Sequence, residues 1–293
     1  MKTLRKLVKD CDLIAVNKGK CPMLLKIATE YKNKYQIKHK HHRYRDKMCQ
    51  KAGVLIADLF ENAVHSPFDP MVQAAYTQLA EEVVSQFSFL KSKENIVFEP
   101  YTGEGEPYAD SFEMLKDIHQ HHLYFFTTSS GFGEDTLPES SIMLQKTGIY
   151  IDDYELVIND IFRIVHDIFG HAMEGYGFGP IGEDYAWFEH LKMFSPLAAA
   201  ALTTETRGQN CWVNFGPHMR DAKGNLRSKE DPKWLAPNKR PFAEQKMALL
   251  PEYVSGIQIT KENTEFKTSL FDFWDPCLSL KHDAWKQAYT TPI

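Results

Sequence analysis

At 293 residues, with 43% apolar and 25% charged side chains, the chain can bury a substantial core, and its composition excludes a disordered polypeptide. No apolar run approaches the roughly 18 residues of a membrane span, and MKTLRKLVKDCDL scatters charge where a secretory signal has its apolar stretch, so a cytoplasmic protein without a membrane partner is expected. The net charge of −5 is unevenly spread: residues 1–53 carry 15 Lys/Arg against 4 Asp/Glu, a net +11, which leaves −16 for the remainder.

The five cysteines are odd in number, far apart and without a C-x-x-C pair. That pattern speaks against a disulfide framework and against a cysteine-held zinc. Any metal must be held by histidine and carboxylate.

Two regions are expected: a basic helical N-terminal segment over 1–62 and a helix-rich catalytic-type domain over 63–293. The first reads as two helical pieces broken near Lys18-Gly19-Lys20 and Pro22. Its densest run, Lys38 to Lys47 (KHKHHRYRDK), is either an electrostatic footprint for nucleic acid or an acidic partner, or a solvated basic helix. His65 to Pro70 is a break, and Asp69 before Pro70 is a good helix start. Val72, Ala75, Tyr76, Leu79, Val83, Phe87 and Leu90 then recur at helical spacing.

Ile96-Val97-Phe98 reads as a short strand, Asp110 or Ser111 caps a helix to about Gln120, and Leu123–Thr128 reads as a second strand. His119, His121 and His122 read as surface or turn histidines. Residues 129–152 read as a long surface loop, 160–170 as a helix, and Gly175–Pro180 as a glycine-rich turn. A long helix is expected from Gly182 to about Glu205, bent at Ser195-Pro196, and another over Pro241–Leu250. The expected fold class is mainly α with a small β component (α+β), around a helical metal-binding core.

The chemistry concentrates in His166-Asp167-Ile168-Phe169-Gly170-His171. Residues five apart lie about 140° apart on a regular helix. Gly170 is expected to let the backbone leave that geometry so that both rings turn to one side. Two histidines and one carboxylate with open positions form the facial arrangement of non-haem Fe(II) oxygenases. Glu205 is the first choice of carboxylate, because a charge at the end of the apolar run Pro196–Leu202 needs compensation. Glu174, Glu183 and Asp167 are rivals. Glu205, Arg207 and Asp167 are the expected catalytic residues; Arg207, Gln209, Asn210 and Asn214 could orient ligand or substrate. Trp187, Phe188, Phe194, Trp212 and Phe215 read as core packing.

His-x4-His with a downstream Glu resembles the iron site of the pterin-dependent aromatic amino acid hydroxylases. Their pattern is His-Glu-x-x-Gly-His, with a third ligand in a Thr-x-Glu context. His166, Gly170 and His171 match it, and Thr203-Thr204-Glu205 resembles the third-ligand context; Asp167 stands where the family has Glu. The resemblance implies Fe(II), a tetrahydropterin co-substrate and hydroxylation. Over Asn159–His171, Thr204–Asn210 and Trp212–His218 the chain also resembles an uncharacterised group of proteins associated with phages and mobile elements. That resemblance implies an origin, with the host cytoplasm as the location if the chain is phage-encoded, and is silent on activity. Val165-His166-Asp167-Ile168 resembles the core of HD-type metal-dependent phosphohydrolases, which would need an upstream ligand such as His119, His121 or His122. Three readings follow: an Fe(II) oxygenase or hydroxylase acting on a small molecule or a side chain; an HD-type phosphohydrolase; and a non-enzymatic phage structural or host-interaction protein.

Overall fold

The computed structural model describes residues 20–37, 50–132, 140–262 and 265–270. The basic run Lys38–Lys47, the expected break at Lys18-Gly19 and part of the expected loop at 129–152 lie outside these residues. The fold is mainly helical with three two-stranded sheets among the described residues. No helix among them is long and apolar enough to cross a membrane.

Helix α1 (Pro22–Lys34) begins on a proline, whose fixed φ and missing N–H suit the first helical position, and it buries Leu24, Ile27, Ala28 and Tyr31. Helix α2 (Gln50–Asn62) buries Ile56, Ala57 and Phe60. Its last carbonyls are capped by the buried Lys246 ammonium, which donates to Phe60 O at 3.2 Å and Ala63 O at 3.1 Å. Both helices of the N-terminal region pack with residues from the rest of the chain. The face of α1 joins the main core, and that of α2 a smaller cluster with Cys211, Phe215, Leu250 and Val254.

Helix α3 (Pro70–Lys93) starts where the sequence predicts: the Asp69 carboxylate accepts from Met71 N at 2.9 Å and Val72 N at 3.0 Å. All seven of its predicted apolar positions are buried. Strands β1 (Val97–Pro100) and β2 (His122–Phe125) pair in parallel around α4 (Ser111–His119), which Asp110 caps. The expected β-α-β unit is present.

The expected loop after β2 is corrected. A short helix α5 (Thr128–Phe132) is followed, from Lys146, by a hairpin of β3 (Lys146–Ile151) and β4 (Tyr154–Val157). Its turn puts Asp152 at φ 49°. Thr147, Ile149 and Ile151 alternate as a strand should, but no Asn-Gly or Asp-Gly marks the turn. Helix α6 (Ile158–His166) follows, tied to α5 through Asp160, which accepts from Thr128 N at 2.7 Å and Tyr154 Oη at 3.0 Å.

The expected long helix is two. α7 (Pro180–Leu191) ends before Ser195-Pro196, and α8 (Pro196–Thr203) begins there. The four alanines Ala198–Ala201 are buried, and their small side chains let α8 lie close to α3. α8 runs through a π turn (Thr204–Gly208) into α9 (Gln209–Phe215).

The expected helix over Pro241–Leu250 is absent; the segment is irregular and half-buried. Its backbone is satisfied by distant groups: Met247 N donates to His65 Nδ1 at 2.9 Å, Met247 O accepts from Ser66 N at 2.8 Å, and Ala248 O accepts from Thr204 Oγ1 at 2.8 Å. A one-turn helix α10 (Glu252–Ser255) leads into the antiparallel pair β5 (Ile257–Glu262) and β6 (Glu265–Leu270), which the sequence reading left without structure.

Candidate metal centre

The backbone leaves regular α geometry where the histidine spacing requires it. Over Asp167–Ala172 the chain forms a π turn, with N–H groups reaching five residues back: Met173 to Ile168 O at 2.9 Å and Tyr176 to His171 O at 3.0 Å. A π turn takes in one extra residue, so side chains five apart come round to one face. The His166 and His171 rings accordingly meet at 5.1 Å between centroids and 88° between planes.

Gly170 serves this arrangement for another reason than the one expected. Its φ is not positive, so its conformational freedom is not in use. A Cβ there would sit 3.0 Å from both Cε1 and Nδ1 of His166 and 3.2 Å from the Ala186 carbonyl. Gly170 is the space the His166 ring occupies.

The carboxylate that joins the two rings is Glu183, from the first turn of α7. His166, His171 and Glu183 each offer a ligand atom within 4.8 Å of the others. Glu183 Oε2 lies 3.3 Å from His171 Nε2 and 3.9 Å from His166 Nε2. His171 Nδ1 meets the Tyr176 carbonyl at 3.3 Å, and His166 Nδ1 meets His190 Nδ1 at 3.1 Å. His166 Nε2 is buried and has no hydrogen-bond partner. A buried polar nitrogen without a partner is costly, and a lone pair facing a carboxylate and a second imidazole is what a divalent cation would satisfy. The donor set fits a metal.

Charge agrees with that fit. Burial lowers the His171 pKa, but the Glu183 carboxylate outweighs it and holds the imidazole up at about 9. Burial raises Glu183, yet the His171 imidazolium beside it pulls it down to about 2. Without metal, a proton shared across this pair stands where a cation would.

Glu205 is corrected as the third member of the group. It sits in the second π turn, where its Oε1 accepts from Tyr76 Oη at 2.6 Å and its Oε2 from Gln209 Nε2 at 2.9 Å. It lines the same cavity of about 330 Å³ as His166 and Glu183, walled also by Phe162, Phe178 and Val213 and by the carboxamides of Asn159, Gln209, Asn210, Asn214 and Gln245. Burial pushes Glu205 up to about 7 against the hydrogen bonds from Tyr76 and Gln209 and the smaller pull of Arg163, which lines the same cavity.

Arg207 does not line the cavity. Its Nε donates to Asp184 Oδ1 at 2.9 Å, its Nη1 to Val254 O at 2.7 Å, and its guanidinium lies 4.4 Å over the Trp187 ring. Its place is in the scaffold, joining the π turn of Glu205 to the helix of Glu183. Asp167 lies outside the three-donor group and the cavity wall; burial raises its carboxyl, opposed by His171 and His166. Glu174 pairs instead with Lys20 at 2.6 Å. His122 is held by Asp117 at 2.7 Å and Glu99 at 3.3 Å, apart from the metal group.

Sequence reasoning kept Glu183 only as a rival, because an acid in the first turn after a proline looks like an ordinary helix start. It missed His190, although Glu183 and His190 are seven apart and share a face of α7. It also missed Tyr76 as a polar partner, and Gln86, which interrupts the apolar stripe between Val83 and Phe87.

No protein family, curated protein or solved structure matches the chain.

Proposed function

We propose that this chain is a mononuclear metal enzyme that holds Fe(II) through His166, His171 and Glu183 and uses it as a non-haem oxygenase, most simply a hydroxylase. One observation carries the reading: two imidazoles and a carboxylate converge from the end of α6, the π turn after it and the start of α7, with the buried His166 Nε2 left without a partner. Two histidines and one carboxylate with open positions suit Fe(II) that must take O₂ beside a substrate. Phe162 and Phe178 shield the donors on the cavity side, and Phe178 sits edge-on to His171 at 5.1 Å. The cavity matches a small molecule or a single side chain in size, and its carboxamides offer hydrogen bonds to orient it. The likeness of His166–His171 to the pterin-dependent hydroxylases supports iron, and extends the proposal to a tetrahydropterin as one co-substrate to test. The HD-type reading has less support, because no upstream histidine joins the donor group among the described residues.

The test is metal analysis after anaerobic reconstitution with Fe(II), on wild type, His166→Ala, His171→Ala, Glu183→Gln and Glu205→Gln. The expected outcome is one iron per chain in wild type and Glu205→Gln, and at least a roughly 100-fold weaker affinity in the other three. A wild type that takes up no metal overturns the proposal. Loss in Glu205→Gln with retention in Glu183→Gln would transfer the ligand role to Glu205. Oxygen uptake by the reconstituted protein, with and without tetrahydropterin, then separates an oxygenase from a hydrolase.

A further inference from the structure

Behind His166 lies a line of hydrogen bonds that runs away from the cavity into the core, and its directions can be worked out from its far end. Gln86 is fully buried on α3. Its Nε2 reaches the Met193 carbonyl at 3.3 Å. A carbonyl only accepts, so this contact fixes which end of the Gln86 amide is nitrogen. Its Oε1 therefore faces His190 Nε2, at 2.8 Å, and an amide oxygen also only accepts. The proton of His190 must sit on Nε2.

His190 is itself fully buried, and its two ring partners are Gln86 and His166, with no carboxylate between them. A second proton on such a ring would be an uncompensated buried charge. His190 is thus a neutral imidazole with its lone pair on Nδ1. That atom lies 3.1 Å from His166 Nδ1. Of two nitrogens facing each other one must donate, and only His166 can.

We propose that Gln86 and His190 are positioning residues that lock the proton of His166 on Nδ1 and its lone pair on Nε2, the atom that faces His171 and Glu183. The proposal rests on the metal reading for its consequence, but the tautomer is a property of the metal-free protein. Without the Gln86 oxygen, His190 can carry its proton on Nδ1 and donate it to His166. The His166 proton then moves to Nε2, and an N–H points where a cation would sit. A hydrogen bond on the remote nitrogen of a ligating histidine sets its tautomer and orientation, and its loss weakens metal binding by about 10–100-fold.

Imidazole ¹⁵N NMR of the metal-free protein at mildly alkaline pH reads the tautomer directly. In wild type, His166 is expected to be protonated on Nδ1 only. Gln86→Met should populate the Nε2–H form of His166 and weaken affinity for Zn²⁺, used as a redox-inert probe, by about tenfold. His190→Phe should weaken it by at least as much. His190→Gln, which keeps an acceptor for His166 and a donor for Gln86, should return affinity to within about threefold of wild type. A His166 protonated on Nε2 in wild type overturns the proposal without need of any variant, as does a Gln86→Met protein with unchanged tautomer and unchanged Zn²⁺ affinity. A wild type that shows the expected tautomer yet binds no metal would end the metal reading and leave the tautomer lock standing.

Discussion

Two carboxylates line one cavity and behave in opposite ways. Glu183 sits at the start of a helix against two imidazoles, and the His171 imidazolium holds it down at about 2. Glu205 sits in a π turn against a tyrosine hydroxyl and an amide, and burial pushes it up to about 7. Burial raises both, although Glu183 keeps 28% of its side chain exposed, so burial alone does not decide their charge. The difference lies in the nearest partner: a cationic imidazole on one side, neutral donors on the other, with the Arg163 guanidinium adding the smallest pull on Glu205. Glu183 is an anion at any working pH and can neutralise a metal. Glu205 is a weak acid that carries a proton part of the time, which suits a wall of the cavity better than a ligand.

The two sides are fastened together by Arg207 and Asp184, each two residues or fewer from one of these acids, and that joint is where the comparison breaks most heavily. Arg207→Met leaves Asp184 buried without its cation and should cost about 3–5 kcal/mol of stability, read by urea unfolding. A loss under about 1 kcal/mol would remove Arg207 from the scaffold. The next largest effect is on pH. Glu205 has a folded value of about 7 against an ordinary 4.5. Its contribution is fully present below about pH 4.5 and is lost as pH rises through 7, up to about 3 kcal/mol in all. His171, raised from 6.5 to about 9, contributes below pH 6.5 and loses that only on the way to 9. Glu183, lowered from 4.5 to about 2, contributes above pH 4.5 and loses that only towards 2. Between pH 4.5 and 6.5, therefore, neither His171 nor Glu183 contributes a slope. Glu205 adds to the fall in stability of metal-free protein beside the raised carboxyls of Glu82, Asp167 and Asp184. Glu205→Gln should make that fall shallower; an unchanged slope would refute the contribution.

Smaller effects sharpen the comparison. Gly170→Ala puts a Cβ against the His166 ring, so metal affinity should fall about tenfold in a competition titration. Gly208→Ala, whose Cβ would meet Phe60 at 2.8 Å and Leu250 at 3.0 Å, should instead lower stability by about 1–3 kcal/mol and leave affinity alone. Equal effects on affinity would mean that Gly170 acts through the fold and not through the ring. Least of all, Tyr76→Phe removes one hydrogen bond to Glu205, for about 1 kcal/mol, and should carry the Glu205 part of the fall to higher pH, because that hydrogen bond holds its value down.

What could be read from the chain was local. Asp69-Pro70 and the apolar stripe behind it determine α3, because cap and periodicity act within one helix. The β-α-β unit was legible for the same reason. Residues 241–250 were not: apolar enough to read as a helix, they take their hydrogen bonds from His65, Ser66 and Thr204 instead, partners that no local pattern reveals. The β3–β4 hairpin was missed because its turn is made by Asp152 in a left-handed conformation and not by a glycine.

The site divides along the same line. His166 and His171 belong to a five-residue spacing that only a π turn can bring to one face, so the pair and the need for irregular backbone stand in the sequence itself. Which carboxylate completes the group was decided by the docking of α7 against that turn, and which nitrogen of His166 faces it by a glutamine 80 residues upstream. Spacing constrains side chains that share an element, whereas the meeting of different elements is governed by how their buried faces pack.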